Sequence, residues 1–370
     1  MNIITQILAL LFAPLTLIIG WTGLRGAITD DPAHYKNVIL LIGDGMSENT
    51  LSTALAEDST PLAIHSLPIR GENRTNAWPG FSLTESAAAG TALACGIRVI
   101  PSQVGVYPLA PFGKIIRPEN ISTMALKSGR SAGVVTTDMT SGATPAAFSA
   151  HASTRVQEGT ISKSQLGSGL DLIWGGNSAS ITKENTKANG FTYVDNKADW
   201  DALTDENRSF AQFDYEELRF TSNTNNTPTL DEMTVKAIDL LSRNEKGFFL
   251  MVEEAQIDKF SHDNNKEMVV HHVREFDKAV KTAIDYAANC PDTFVIVTGD
   301  HDTGGLTLKD GEWVFTSGGH TKANVPVYVN RADAGFTDGG VWKNREIGAQ
   351  LGRILGFGPD QFPTPILPRR

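Results

Sequence analysis

Residues 37–50, "NVILLIGDGMSENT", decide the fold. The apolar run 38–42 has no polar alternation, which describes a strand buried on both faces. Gly43-Asp44-Gly45 then turns the chain out of the core with a carboxylate held between two glycines. Glycines after a strand suggest a dinucleotide fingerprint, in which a helix N-terminus receives a pyrophosphate. The match fails at Gly43-Asp44-Gly45-Met46-Ser47-Glu48, where glutamate replaces the last glycine and puts an anion where an anionic ligand belongs. Asp44 therefore reads as a cation ligand.

Four further runs rich in Val, Ile, Leu and Phe occupy residues 133–137, 248–252, 294–298 and 325–329. Continuous apolar strands interleaved with helical stretches predict an α/β fold, a doubly wound and mostly parallel central sheet with helices on both faces. Pro326 pushes the last run toward a sheet edge. Val269, Val273, Phe276, Val280, Ala283 and Ala287 repeat at helical spacing, with His271 and His272 read as surface residues. Thr229 and Glu232 have capping-box spacing and open a helix that leads into "FFLMV". From Arg155 to Thr229 the chain is rich in Asn, Ser, Thr, Asp and Gly, and reads as surface elements on the same domain. Without repeats or a proline-rich linker, the only boundary falls near Asp30, and residues 31–370 are expected to fold as one catalytic domain.

A chain of 370 residues can bury roughly three quarters of its unfolded surface. Its 41% apolar and 20% charged residues exclude a disordered or fibrous class. A net charge of −10 with no basic tract argues against nucleic acid and anionic membrane surfaces as partners. Residues 7–21, "ILALLFAPLTLIIGW", followed by a polar and acidic stretch, read as an export signal within residues 1–30, which places the protein in the periplasm or outside the cell. The preceding "MNIITQ" lacks Lys and Arg, so a retained anchor with N-terminal membrane contact is one alternative, and a buried helix is another. Cys95 and Cys290 read as two separate buried thiols. There is no Cys/His array, so a metal would be held by oxygen and imidazole.

Acids gather at strand ends: Asp44 after the first run, Glu253 after "FFLMV", Asp300 and His301 after "FVIVTG". In open parallel sheets the carboxyl ends of the strands form the ligand-binding rim, and carboxylates crowded there need a cation. "VEEAQIDKFSH" adds Asp258 and His262 four apart, and "SGGHTKAN" adds His320. Taken singly, each of these residues reads as an ordinary solvated side chain. Ser86 precedes a run of small helix formers. It reads either as an N-terminal cap worth about 1 kcal/mol or, with metal beside it, as a nucleophile.

Six motifs in order, "NVILLIGDGM", "TESAAAGTALACG", "GATPAAFSAHASTR", "GFFLMVEEAQIDKFSHDNN", "VIVTGDHDTGG" and "GGHT", give the chain a resemblance to the alkaline phosphatase family from residue 37 to 329. The resemblance implies a phosphomonoester hydrolase with two zinc ions, one magnesium ion and an alkaline optimum, working as a homodimer on small-molecule phosphomonoesters. It makes Ser86 the nucleophile that takes the phosphoryl group. Asp258, His262 and His320 would hold one zinc, and Asp44, Asp300 and His301 the second. Asp44 would bridge to magnesium with Glu253 and Thr144. Arg155 would clamp two phosphate oxygens with its planar fork, and Lys259 would contact phosphate through water. Phosphoryl transfer suits such a set, because paired cations about 4 Å apart clamp the attacking and leaving oxygens in line.

Two departures stand out. Glu85 precedes the nucleophile where the family commonly has Asp, a longer acid that would shift hydrogen bonding near Arg155. Gly142 stands where relatives often place Asp or His, which predicts weaker or altered occupancy of the third cation site. The short spacing from His301 to His320 predicts an open site and broad use of monoesters. The alternatives are a phosphodiesterase or sulfatase of the same superfamily and a non-catalytic phosphate- or metal-binding protein.

Overall fold

The computed structural model describes residues 32–364 apart from 77, 108–114, 205–207 and 221–225. The apolar segment 7–21 and the boundary near Asp30 lie outside the described residues. Among the described residues no helix is long and apolar enough to cross a membrane. The strands are β1 (Asn37–Gly43), β2 (Ile69–Arg74), β3 (Ser131–Met139), β4 (Leu172–Gly176), β5 (Phe191–Val194), β6 (Arg208–Phe213), β7 (Phe248–Glu254), β8 (Thr293–Gly299), β9 (Thr307–Lys309), β10 (Glu312–Val314), β11 (Val325–Val329) and β12 (Val341–Lys343).

Every residue of β1 is buried because it pairs in parallel on both edges, with β7 and with β8. Ten strands form one sheet in the order β12-β2-β11-β8-β1-β7-β3-β4-β6-β5, and β9 and β10 make a separate hairpin. Among the described residues only β11 runs antiparallel to its neighbours in this sheet, so the sheet is mostly parallel as the uninterrupted apolar runs predict.

Successive residues of a strand point to opposite faces, and the core divides accordingly. Ile39, Leu41, Leu250, Val252, Val295 and Val297 pack with Met233 and Ile238 of the helix Leu230–Leu241 and Val273 and Phe276 of the helix Lys266–Asn289. Val38, Leu40, Ile42, Phe249, Met251 and Ile296 pack on the other face with Leu93 of the helix Ser86–Cys95, Phe148 of Ala143–Ser149 and Leu351 of Asn344–Ile354. With both faces covered, truncating one such residue, Leu40→Ala for instance, costs about 2–5 kcal/mol.

The register levels the strand ends. Ile42 stands opposite both Glu253 and Thr298, and Glu253 stands opposite Thr136. The loops after β1, β3, β7 and β8 therefore leave the sheet side by side.

Three expectations are corrected. β11 is not an edge strand: β2 and β12 lie beyond it, and its ladder with β8 runs over Val327–Val329, clear of Pro326, whose carbonyl accepts from the Thr298 hydroxyl at 2.9 Å. The polar middle of the chain is more than surface, since it supplies β4, β5 and β6 and buries Trp174 and Trp200 edge to face. His272 is fully buried, stacked on Phe260 with its Nε2 2.9 Å from the Arg219 carbonyl. The Thr229–Glu232 capping box is present, and Cys95 and Cys290 are separate free thiols, Cys95 buried and Cys290 half-buried.

Candidate active site

Gly45 sets the path of the first loop. Its φ of +71° suits glycine, and a Cβ there would lie 2.9 Å from Asp258 Cα and from Thr303 Oγ1. The turn thus brings Asp44 against the helix Gln256–His262, while the Gly45 amide donates to Asp300 Oδ1 at 3.1 Å.

Ser86 is the first residue of its helix, and the cap is Glu85 instead. The Glu85 carboxylate accepts from the amides of Ala87 (3.0 Å), Ala88 (2.8 Å) and Ser102 (2.8 Å). Relieved of capping, the buried Ser86 hydroxyl lies 3.2 Å from His301 Nε2 and 3.5 Å from Asp44 Oδ1. The capping alternative for Ser86 is therefore set aside. Glu85 also holds Arg155, whose Nη1 is 2.8 Å from its Oε2.

Among the described residues two groups of side chains converge closely enough to hold a metal: Asp258 with His262 and His320, and Asp44 with Asp258 and His301. His262 Nδ1 lies 2.9 Å from the Gly318 carbonyl, and His320 Nδ1 lies 2.9 Å from the Thr84 carbonyl. A carbonyl only accepts, so each Nδ1 carries the proton and each Nε2 presents a lone pair. Those Nε2 atoms lie 3.5 and 3.7 Å from Asp258 Oδ1. His301 Nε2 lies 3.4 Å from Asp44 Oδ1 and 3.3 Å from Asp300 Oδ2.

Burial and mutual repulsion act on the acids together. Burial first, then Asp300, Asp258 and Glu253, hold the Asp44 carboxyl well above its usual range. Burial pushes Glu253 to about 8, with Asp138 adding to it, and Asp300 to about 7. Burial lowers His301 to about 4, which keeps the imidazole neutral and able to ligate. Asp300 Oδ2, Glu253 Oε1 and Thr144 Oγ1 are buried without a hydrogen-bond partner. Buried acceptors left bare cost about 1–3 kcal/mol each, and a cation would satisfy them. The donor set of carboxylate and imidazole fits zinc, and the glutamate with a hydroxyl fits a hard cation such as magnesium.

All the residues picked out at the strand ends meet at this rim, and Glu253 and Thr144 adjoin one another. Arg155 and Lys259 border it. Lys259 Nζ lies 3.9 Å from Asp138 Oδ2, and the charge of Asp138 raises the lysine's pKa. Asp138, a buried acid, has no place in the sequence reading. It follows the run 133–137 directly, and Asp44 follows 38–42 after one glycine, so the strand-end signal was there.

A model of the alkaline phosphatase family matches residues 35–173 and 174–339. Alkaline phosphatase 4 of Bacillus subtilis is 33% identical over 299 residues, which cover 75% of this chain and 64% of that one. The Escherichia coli alkaline phosphatase is 30% identical over 346 residues, 75% of this chain and 72% of that one. The chain spans slightly under two thirds of the two Bacillus relatives, 64% and 62% of their lengths. Among solved structures, the alkaline phosphatase of the Antarctic bacterium TAB5 superposes with a TM-score of 0.78 at 28% identity, over 87% of this chain and 98% of that one. Variants of that enzyme carrying aspartate or glutamate in place of a histidine are described with magnesium in the M3 site. A family model that runs across both flanks of the sheet, and a fold shared almost end to end, make one conclusion plain: the chain belongs to the alkaline phosphatase family.

Proposed function

We propose that the protein hydrolyses phosphate monoesters to alcohol and inorganic phosphate through a phosphoserine on Ser86, at a site for two zinc ions and one magnesium ion. The observation that carries this reading is the Ser86 hydroxyl, free of the capping bond and 3.2 and 3.5 Å from His301 and Asp44. Asp258, His262 and His320 would hold one zinc, Asp44, Asp300 and His301 the other, and Glu253 and Thr144 with Asp44 the magnesium. When bound, these cations would acidify the serine hydroxyl and the hydrolytic water and neutralise phosphoryl charge.

The chain's own groups do the rest. Ser86 Oγ attacks phosphorus in line with the ester oxygen, the P–O bond to the alcohol breaks, and the alcohol leaves with a proton. Water then displaces Ser86 from the opposite side and releases phosphate. Arg155, held by Glu85, presents its fork to two phosphate oxygens. Lys259 adds positive charge at the same rim.

Between His301 and His320 the described chain carries only the small hairpin β9–β10, which supports an open mouth and broad acceptance of alcohol groups. Export through residues 1–30 and assembly as a homodimer belong to the same reading, supported by family membership. Ser86→Ala tests the proposal: turnover of a chromogenic monoester should vanish while zinc content is kept. Turnover surviving at the wild-type rate would overturn the serine's role, and a wild type without turnover would favour a binding protein.

A further inference from the structure

Gly142 precedes the helix Ala143–Ser149 that carries Thr144. Its φ of −54° is open to any L-residue, so the backbone does not demand glycine there. Space does. A Cβ at 142 would fall 2.7 Å from the Asp138 carboxyl carbon and 2.9 Å from the Met139 carbonyl oxygen, and closer still to Asp138 Oδ2. The room that a side chain at 142 would fill is taken by the carboxylate of Asp138, delivered from the end of β3.

Asp138 is 5% exposed, and its amide donates to Thr136 Oγ1 at 2.8 Å. The same threonine hydroxyl donates to Glu253 Oε2. One hydroxyl thus ties the end of β3 to the glutamate. On the far side Asp138 Oδ2 faces Lys259 Nζ at 3.9 Å. The other oxygen of Glu253, Oε1, and Thr144 Oγ1 are both buried without a hydrogen-bond partner, which points to a ligand not met by protein donors.

We propose that Asp138 supplies the outer carboxylate of the third cation site, orienting the cation's water shell beside Glu253 and Thr144, that Gly142 is the space that admits it, and that Lys259 is its counter-charge. This rests on the three-cation reading above. It also reverses the expectation drawn from glycine at 142: the acid has moved four residues along the chain, from the helix cap to the strand end, and the site keeps its charge. Asp138 is a positioning residue here, acting on magnesium through water, and such outer partners commonly tune metal affinity 10–100-fold.

The test is magnesium affinity, measured by calorimetric titration of the zinc-loaded full chain, with zinc counted separately by elemental analysis. Asp138→Asn, which removes charge at nearly constant volume, should weaken magnesium at least about 10-fold and leave two zinc ions per chain. Gly142→Asp should also weaken it, because its Cβ collides with Asp138. The double variant Asp138→Ala/Gly142→Asp should recover most of the affinity that Asp138→Ala loses, which keeps the test open should Asp138→Asn fail to fold. Wild-type affinity in Asp138→Asn, or no recovery in the double variant, would overturn the inference alone. A wild type that holds two zinc ions and binds no magnesium would overturn the three-cation reading and the inference with it.

Discussion

Stripping the metals should make stability fall as pH rises. In the metal-free site Glu253 stands at about 8 against a usual 4.5, and Asp300 at about 7 against 3.8, burial being the first cause of each. Both folded-state values lie above the unfolded ones. The stability they contribute is therefore fully present below pH ~4 and is lost as pH climbs through about 8. A shift of about 3 units is worth about 4 kcal/mol at ~1.36 kcal/mol per unit. The acids titrate as one coupled group, so the loss should be nearer one carboxyl's share than the sum. With ~2.1 cal/mol/K of unfolding entropy per residue over 370 residues, that loss lowers Tm by about 5 °C. Thermal unfolding of chelator-treated protein between pH 5 and 8.5, against protein reloaded with zinc and magnesium, measures it directly. Cations bind the ionised acids, so the reloaded protein should hold its Tm through the same window, and loading at pH 6 should release protons. Parallel Tm curves with and without metal would refute the reasoning.

Arg155→Lys keeps the charge and loses the planar fork, so kcat/KM should fall about 10–100-fold and inorganic phosphate should inhibit more weakly. An unchanged phosphate inhibition constant would remove Arg155 from the phosphate site. Gly45→Ala forces an L side chain into φ +71° and against Asp258 Cα and Thr303 Oγ1, at a cost of about 1–3 kcal/mol in chemical denaturation, with zinc lost from the Asp258 group. Glu85→Ala removes a cap worth about 1 kcal/mol and leaves Arg155 unheld, so KM should rise together with the loss of stability. A stability loss with kinetics unchanged would confine Glu85 to the cap.

The strands of the central sheet were legible because they are buried on both faces and spelled in Val, Ile, Leu and Phe. β6 escaped notice although it too is buried. Its polar residues are satisfied internally, Ser209 by the Trp174 indole and Gln212 by the Thr140 hydroxyl, and a composition that looks like surface conceals it. His272 shows the converse. It lies three residues after Val269 and four before Phe276, on the apolar stripe itself, and residue type outweighed position in the reading. The acids and imidazoles that converge at the rim were legible from strand ends and motif order. The same rule applied to the run 133–137 reaches Asp138, and glycine at 142, read by itself, gave the expectation of weaker or altered occupancy that the magnesium titration tests. What one sequence could not convey is that two positions four residues apart compete for the same space.

The central claim is that acids and imidazoles from distant parts of the chain gather cations around one serine. Anomalous diffraction at the zinc edge from crystals of the metal-loaded protein tests it most directly. Two zinc peaks should appear within ligand distance of His262 and His320 and of Asp44 and His301, with Ser86 Oγ beside the second. A single peak, or peaks remote from Ser86, would contradict the account.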